Sequence, residues 1–157
     1  MSGEAAHERP RDPEGGLPVD VRGPRFSAAI TLTVLAIALI FQLEWLVALQ
    51  ALVFAVAAFL GLRWSPYGNL FRFLKRRLDL GPPPEVEPEA PPRFAQLCGF
   101  IVTGAALVAF GLQAELAGWV LVGVVLVLAS LQAFTGICVG CEMYLIGQRL
   151  RARRGGA

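Results

Sequence analysis

Four long apolar runs, grouped in two pairs, dominate the chain. Phe26 to Leu43 and Trp45 to Leu62 are each 18 residues without a charge, and Phe94 to Gln113 and Leu116 to Thr135 are each 20. At about 1.5 Å per residue, a helix of this length covers roughly 27–30 Å, the thickness of a bilayer's hydrocarbon core. Backbone amides in lipid need partners inside their own segment, so the runs are expected as helices. A soluble protein with two buried hairpins would need polar helices to cover them, and no stretch is left to supply these. The pattern therefore predicts an all-α fold of four transmembrane spans over 26–43, 45–62, 94–113 and 116–135. A cleavable signal peptide is a poor reading of the first run, because about 25 polar residues precede it.

Glu44 is the charged marker between the first two runs, and Glu115 marks the second pair. Each pair reads as a tight helical hairpin, with Trp45 and Trp119 near the start of its second helix, at headgroup depth. The hairpins echo each other. Pro24-Arg25-Phe26 opens the first and Pro92-Arg93-Phe94 the second, while Phe59-Leu60-Gly61 recurs as Phe134-Thr135-Gly136. The echo reads as a tandem repeat of about 70 residues in one orientation; chance similarity between two apolar segments is the alternative.

The segments between the runs differ. Residues 1–18 mix charge, Gly and Pro without periodicity and are expected to be a disordered tail. In the stretch 69–80, Phe71, Leu74 and Leu78 fall at helical spacing among Arg72, Lys75, Arg76 and Arg77, which predicts an interfacial helix on anionic headgroups. Positive charge serving only as a retention signal is the alternative. Residues 81–92 hold six prolines and three glutamates and read as an extended spacer. The membrane domain is expected over 19–150, followed by a basic tail over 151–157.

Charge sets the expected orientation. All 14 Lys and Arg fall in the N-terminal tail, the central segment or the C-terminal tail, and the opposite turns carry only Glu44 and Glu115. This bias predicts both termini in the cytoplasm of a multi-pass inner-membrane protein. Composition agrees: 55% of the 157 residues are hydrophobic and 17% charged, against about 25% charged in soluble domains. A net charge of +2 leaves no field for nucleic acid.

One motif carries chemistry. After Thr135-Gly136 the chain reads Ile137-Cys138-Val139-Gly140-Cys141-Glu142. A Cys-x-x-Cys pair can close a small ring, so that one thiolate attacks and the other resolves a mixed disulfide. If Gly136 ends the fourth helix and a short helix follows, Cys138 and Cys141 lie at a helix N-terminus that favours a thiolate, with Glu142 opposing. Packing of two small apolar residues is the first alternative. A metal site is the second: zinc or iron–sulfur would need a dimer sharing Cys138 and Cys141, since one pair gives two of four ligands. A stable structural disulfide does not suit a reducing cytoplasmic face. Cys98, one turn into the third span, lies at similar depth and is an accessory candidate. At an offset of 75, Arg63 aligns with Cys138 and Pro66 with Cys141, making Arg63 a candidate to stabilise a thiolate or a bound anionic sulfur species.

Val19-Asp-Val-Arg-Gly-Pro-Arg-Phe26, Ser65-Pro-Tyr-Gly68 and Gly136-Ile-Cys-Val-Gly-Cys-Glu-Met-Tyr144 resemble a bacterial, mainly actinobacterial, membrane family known as domain of unknown function 4395. The resemblance covers roughly 19–150. It implies a four-helix inner-membrane protein, genes neighbouring thioredoxin-like or rhodanese-like sulfurtransferase genes, and Cys138 and Cys141 as the functional pair. It implies no reaction.

The leading expectation is a thiol/disulfide redox or sulfur-relay component with a soluble thioredoxin-like or rhodanese-like partner, Cys138 attacking and Cys141 resolving, and no cofactor. The lipid bilayer is its other partner, and a homo-oligomer is compatible. Two other classes stay open: a non-catalytic membrane anchor or assembly protein, and a small neutral-solute permease. The spans hold no Asp, Glu, Lys, Arg or His, which counts against ion-coupled transport. A permease would depend on Gln50, Gln96, Gln113, Gln132 and Thr103, residues that serve equally as interhelical hydrogen-bonding groups.

Overall fold

The apolar runs form helices, as a lipid environment demands, and glycines and glutamines in left-handed conformation end them. The structure is a computed structural model that describes residues 18–156. The tail expected over 1–18 lies, apart from Pro18, outside the described residues. Helix α1 spans Arg22–Phe41, α2 spans Glu44–Ala55 and runs on as a π-helical turn over Val56–Leu60, α3 spans Pro66–Arg77, α4 Ala90–Gly111, α5 Glu115–Thr135 and α6 Val139–Gly155. The fold is all-α apart from one small ladder described below.

Three helices, α1, α4 and α5, are long and apolar enough to cross a membrane. Only 17–22% of their apolar windows is buried inside the protein, so most of that surface needs lipid to cover it. The run expected as a full span over 45–62 is a shorter apolar helix, Glu44–Leu60. Gly61 stops it at φ 98°, a conformation an L side chain resists.

The four apolar helices form a ring in which α1 packs on α5, α5 on α4, α4 on α2 and α2, more lightly, on α1. Leu35 and Ala38 of α1, Val47 and Phe54 of α2, Ala106 and Phe110 of α4, and Val122 and Val125 of α5 meet at its centre. Two small residues allow the close approach. A Cβ at Gly99 would lie 2.9 Å from the Phe54 ring, and one at Gly118 would run into the Phe110 ring. Fully buried Gln50 donates to Thr31 Oγ1 at 3.1 Å and accepts from the Tyr67 hydroxyl at 2.7 Å. This bond set joins α2 to α1 and to the first turn of α3.

The outer turns of the two hairpins are built alike. Gln42 (φ 52°) and Gln113 (φ 61°) both sit in the left-handed region. Leu43 donates its amide to Ala38 and Ala114 donates to Ala109, each at 2.9 Å. This six-to-one bond satisfies carbonyls that the helix end would orphan. Glu44 and Glu115 follow as the first helical residues. The described Lys and Arg residues belong to elements at the other end.

At that basic end three expectations are corrected. The spacer over 81–92 is not free: Val86–Glu87 pairs antiparallel with Val19–Asp20, and the Arg22 guanidinium donates to the carbonyls of Leu80 and Pro82. The spacer also ends sooner, because Pro91 and Pro92 fall in the first turn of α4, where proline's missing N–H costs nothing. Finally, most of the basic tail expected over 151–157 is helical, since α6 continues to Gly155. The helix expected over 69–80 is α3, starting three residues earlier behind the Ser65 cap and Pro66. Its Phe71 packs inward on Phe26 (ring centroids 5.6 Å), while Leu70 and Phe73 stay exposed.

Candidate functional site

The site grows from the end of α5. Gly136, at φ 79°, closes that helix, donating its amide to Gln132 at 2.9 Å. Ile137 alone then separates it from Cys138, the residue that caps α6. Cys138 Sγ accepts the amide of Cys141 at 3.3 Å, the bond by which a capping side chain satisfies one of the free donors of a first helical turn. Cys141 is thus the third residue of α6. Its sulfur lies at disulfide distance from that of Cys138, with the Cα atoms 5.2 Å apart.

The second glycine of the motif has a packing reason. A Cβ at Gly140 would stand 2.7 Å from the Ala95 methyl and 2.8 Å from its Cα. Only glycine lets the first turn of α6 press against α4 this closely. Tyr144, one turn on, packs its ring on Phe94 at 5.7 Å. Gly136 and Gly140 therefore hold the cysteine turn between the end of α5 and the start of α4.

A cavity of about 120 Å³ lies beneath this turn. Cys138, Gly140 and Met143 line it from the α6 side, Gln132 and Ala129 from α5, and Cys98, Gln96 and Gly99 from α4. Thr31 and Phe54 reach it from α1 and α2. Cys98 and Cys138 thus share one cavity. Arg25 is the guanidinium beside the turn: it reaches the carbonyls of Ala133 and Phe134 at 3.5 Å and would touch a Cβ at Gly136.

Arg63 is not brought to the cysteines. It is exposed, its guanidinium lies over the Trp64 ring at 5.7 Å, and its carbonyl accepts from Arg72. It does not line the cavity. The residue standing where Cys138 stands, as cap of the helix after the first hairpin, is Ser65, which accepts the amide of Gly68 at 3.5 Å. Sequence alignment paired the wrong residue because the turn Leu62–Trp64 inserts three residues between Gly61 and its cap, where Gly136 and Cys138 have only Ile137 between them.

Among the described residues, no group of three or more His, Cys, Asp or Glu gathers where it could hold a metal ion. A metal on Cys138 and Cys141 would need its other ligands from another molecule. Arg25 and Gly140 were not singled out from sequence as parts of the site. The Pro-Arg-Phe echo marks Arg25, but nothing in the order of residues announces which helix end it reaches.

Comparison with curated proteins and with solved structures returns no match. Residues 19–149, from the strand at the basic end to near the end of α6, match the family described as a domain of unknown function. That span contains the ring of four helices and the whole cysteine turn, and the chain belongs to this family, DUF4395.

Proposed function

We propose that the protein is a membrane thiol/disulfide component in which Cys138 and Cys141 alternate between dithiol and disulfide. The observation that carries this reading is the position of the pair, cap and third residue of α6, with the sulfurs at disulfide distance above a cavity. The Cys141 backbone N–H donates to Cys138 Sγ, so negative charge developing there in exchange is met by that hydrogen bond and by the helix end. In the exchange, Cys138 thiolate attacks the disulfide of a soluble partner and releases one partner thiolate. Cys141 then attacks Cys138 Sγ, freeing the second partner thiolate and closing the ring. Two electrons and two protons pass to the partner, and the direction reverses with the partner's potential. A thioredoxin-like protein has the chemistry to serve as that partner; from a rhodanese-like persulfide, Cys138 would take the outer sulfur, releasing the partner thiolate, and Cys141 would then displace it as hydrosulfide.

The same reading places α2 with its π-helical turn as the second of four spans. A 17-residue helix rises about 25 Å, close to the core thickness, and its outer turn repeats the bond pattern of the second hairpin. The two hairpins are then tandem copies, with the basic end in the cytoplasm. The permease alternative gains nothing from Gln50, whose amide is already engaged by Thr31 and Tyr67.

The test is acid quenching and alkylation of cells producing the full chain, followed by mass spectrometry of the 136–149 region. A Cys138–Cys141 disulfide that disappears under thiol reductant and returns with oxidant supports the reading, as does a Cys141→Ser variant that accumulates a mixed disulfide through Cys138. A pair that never leaves one state, with both serine variants fully functional, overturns it.

A further inference from the structure

The geometry points to a second redox partner for the cysteine pair: the head group of a lipid-soluble quinone, bound in the cavity beneath Cys138. This rests on the dithiol reading above and names what oxidises the dithiol from the membrane side.

Size, opening and lining lead to that class. The cavity of about 120 Å³ is smaller than the roughly 150 Å³ at which an apolar protein cavity takes up benzene, so a ring enters it edge-first through its opening and leaves its substituents outside. Two of its wall residues, Leu128 on α5 and Met143 on α6, are 40% and 57% exposed. Leu128 belongs to an apolar helix, so a molecule with an alkyl tail can enter from the hydrocarbon and leave its tail there. Phe54, Val102 and Val125 give apolar walls for the ring faces.

The polar groups fit the ring's two oxygens. Gln96 and Gln132, both half-buried, line the cavity from α4 and α5. Thr31 Oγ1 accepts from Gln50, which leaves its own proton to donate. Quinone oxygens accept hydrogen bonds, and the carboxamide N–H groups of the half-buried Gln96 and Gln132 can donate them. A charged ligand is disfavoured, because no ionised side chain lines the cavity and Cys138 itself carries the negative charge when it reacts.

The step balances. The reduced pair carries two thiol protons and gives up two electrons when Cys141 thiolate attacks Cys138 Sγ and the sulfur–sulfur bond forms. The electron pair passes from Cys138 sulfur to the quinone ring, and both protons end on the quinone oxygens. One dithiol and one quinone become one disulfide and one hydroquinone. Quinones are stronger two-electron oxidants than ordinary protein disulfides, so the transfer runs toward the disulfide.

The experiment uses the full chain in lipid nanodiscs, reduced and freed of reductant. The probe is a benzoquinone substituted at every ring carbon and bearing a short alkyl tail, which leaves no ring position for thiol addition. The expected result is hydroquinone formed one-for-one with the Cys138–Cys141 disulfide. Ala129→Phe, which fills the cavity, slows this by at least about tenfold while oxidation by diamide, a water-soluble thiol oxidant, keeps the parent rate. Should Ala129→Phe fail to fold, seen as an altered diamide rate, the double variant Gln96→Leu, Gln132→Leu decides, with a several-fold higher half-saturating quinone concentration expected. Diamide oxidation without quinone oxidation in the parent, or equal quinone rates in parent and variants, overturns the quinone site and leaves the dithiol reading standing. A parent pair that neither reagent oxidises overturns both.

Discussion

Arg93 Nε donates to the carbonyl of Ala58 at 2.7 Å, so the residue that opens the second hairpin caps the last helix of the first. Its other arm reaches Phe59 at 3.2 Å. Arg25, which opens the first hairpin, reaches the carbonyls of Ala133 and Phe134 at the end of α5, but only at 3.5 Å. The hairpins hold each other by their exits. The shorter pair should matter more. Arg93→Gln is expected to lower unfolding stability in detergent by about 1 kcal/mol, below the roughly 1.5–3 kcal/mol of a buried charged bond because Arg93 is exposed. Arg25→Gln should cost less than half of that, and equal losses would refute the ordering.

Gly140 tests the packing of the cysteine turn. A Cβ there meets backbone as well as side chain of Ala95, so neither helix can yield without moving. Gly140→Ala should cost about 1–3 kcal/mol, the usual range for overpacking. Faster alkylation of reduced Cys138 is expected in the same variant, because α6 must shift off α4. A double variant with Ala95→Gly should recover only part of both effects, because the clash with the Cα at position 95 remains.

Gln50 tests the buried polar set. Gln50→Leu leaves the Tyr67 hydroxyl without its acceptor and Thr31 without its donor, at a cost of about 1–2 kcal/mol. Adding Tyr67→Phe removes the orphaned hydroxyl, so the double variant should lose less than the sum of the singles. Burial also raises the Tyr67 phenol above its ordinary pKa. The phenol therefore stays a donor to Gln50 across the neutral range, and the Gln50→Leu loss should not vary between pH 6 and 9 by denaturant titration.

Asp20 supplies a pH dependence. Burial works against its ionisation, but the Lys75 ammonium at 2.7 Å and the Arg22 amide at 3.0 Å outweigh it and hold the carboxyl below its ordinary value of 3.8. A depressed carboxyl stabilises the fold above its unfolded pKa, and that contribution is lost as pH falls through the folded one. The pair is partly exposed and worth about 0–1 kcal/mol. Asp20→Asn should therefore lower Tm by roughly 1–3 °C at pH 7, and the gap to the parent should close below pH 3. A gap that persists at pH 2 would assign the effect to packing.

Much of this was readable from residue order, and the exceptions share a cause. Length and apolarity foretold the helices, and Gly136 foretold the break after α5, because left-handed glycines act within a few residues; that Cys138 caps the next helix was not legible. The second apolar run ended early because Gly61 is a local stop that a count of apolar residues ignores. Pro91 and Pro92 read as spacer although a helix tolerates proline in its first turn. Arg25 and the cavity were invisible because both are made by segments far apart in the chain. The Pro-Arg-Phe echo stands in the sequence, but that each arginine serves the opposite hairpin shows only in the fold.

The crossed reach of Arg25 and Arg93 bears on synthesis. In chain order the first hairpin is complete before Arg93 is made, so its exit carbonyls wait for a residue 35 positions beyond Ala58. Arg25 in turn waits for residues more than a hundred positions downstream. Closure of the ring thus waits for the second hairpin, and a nascent chain stalled after the first would present an unsealed helix end for proteolytic surveillance to find.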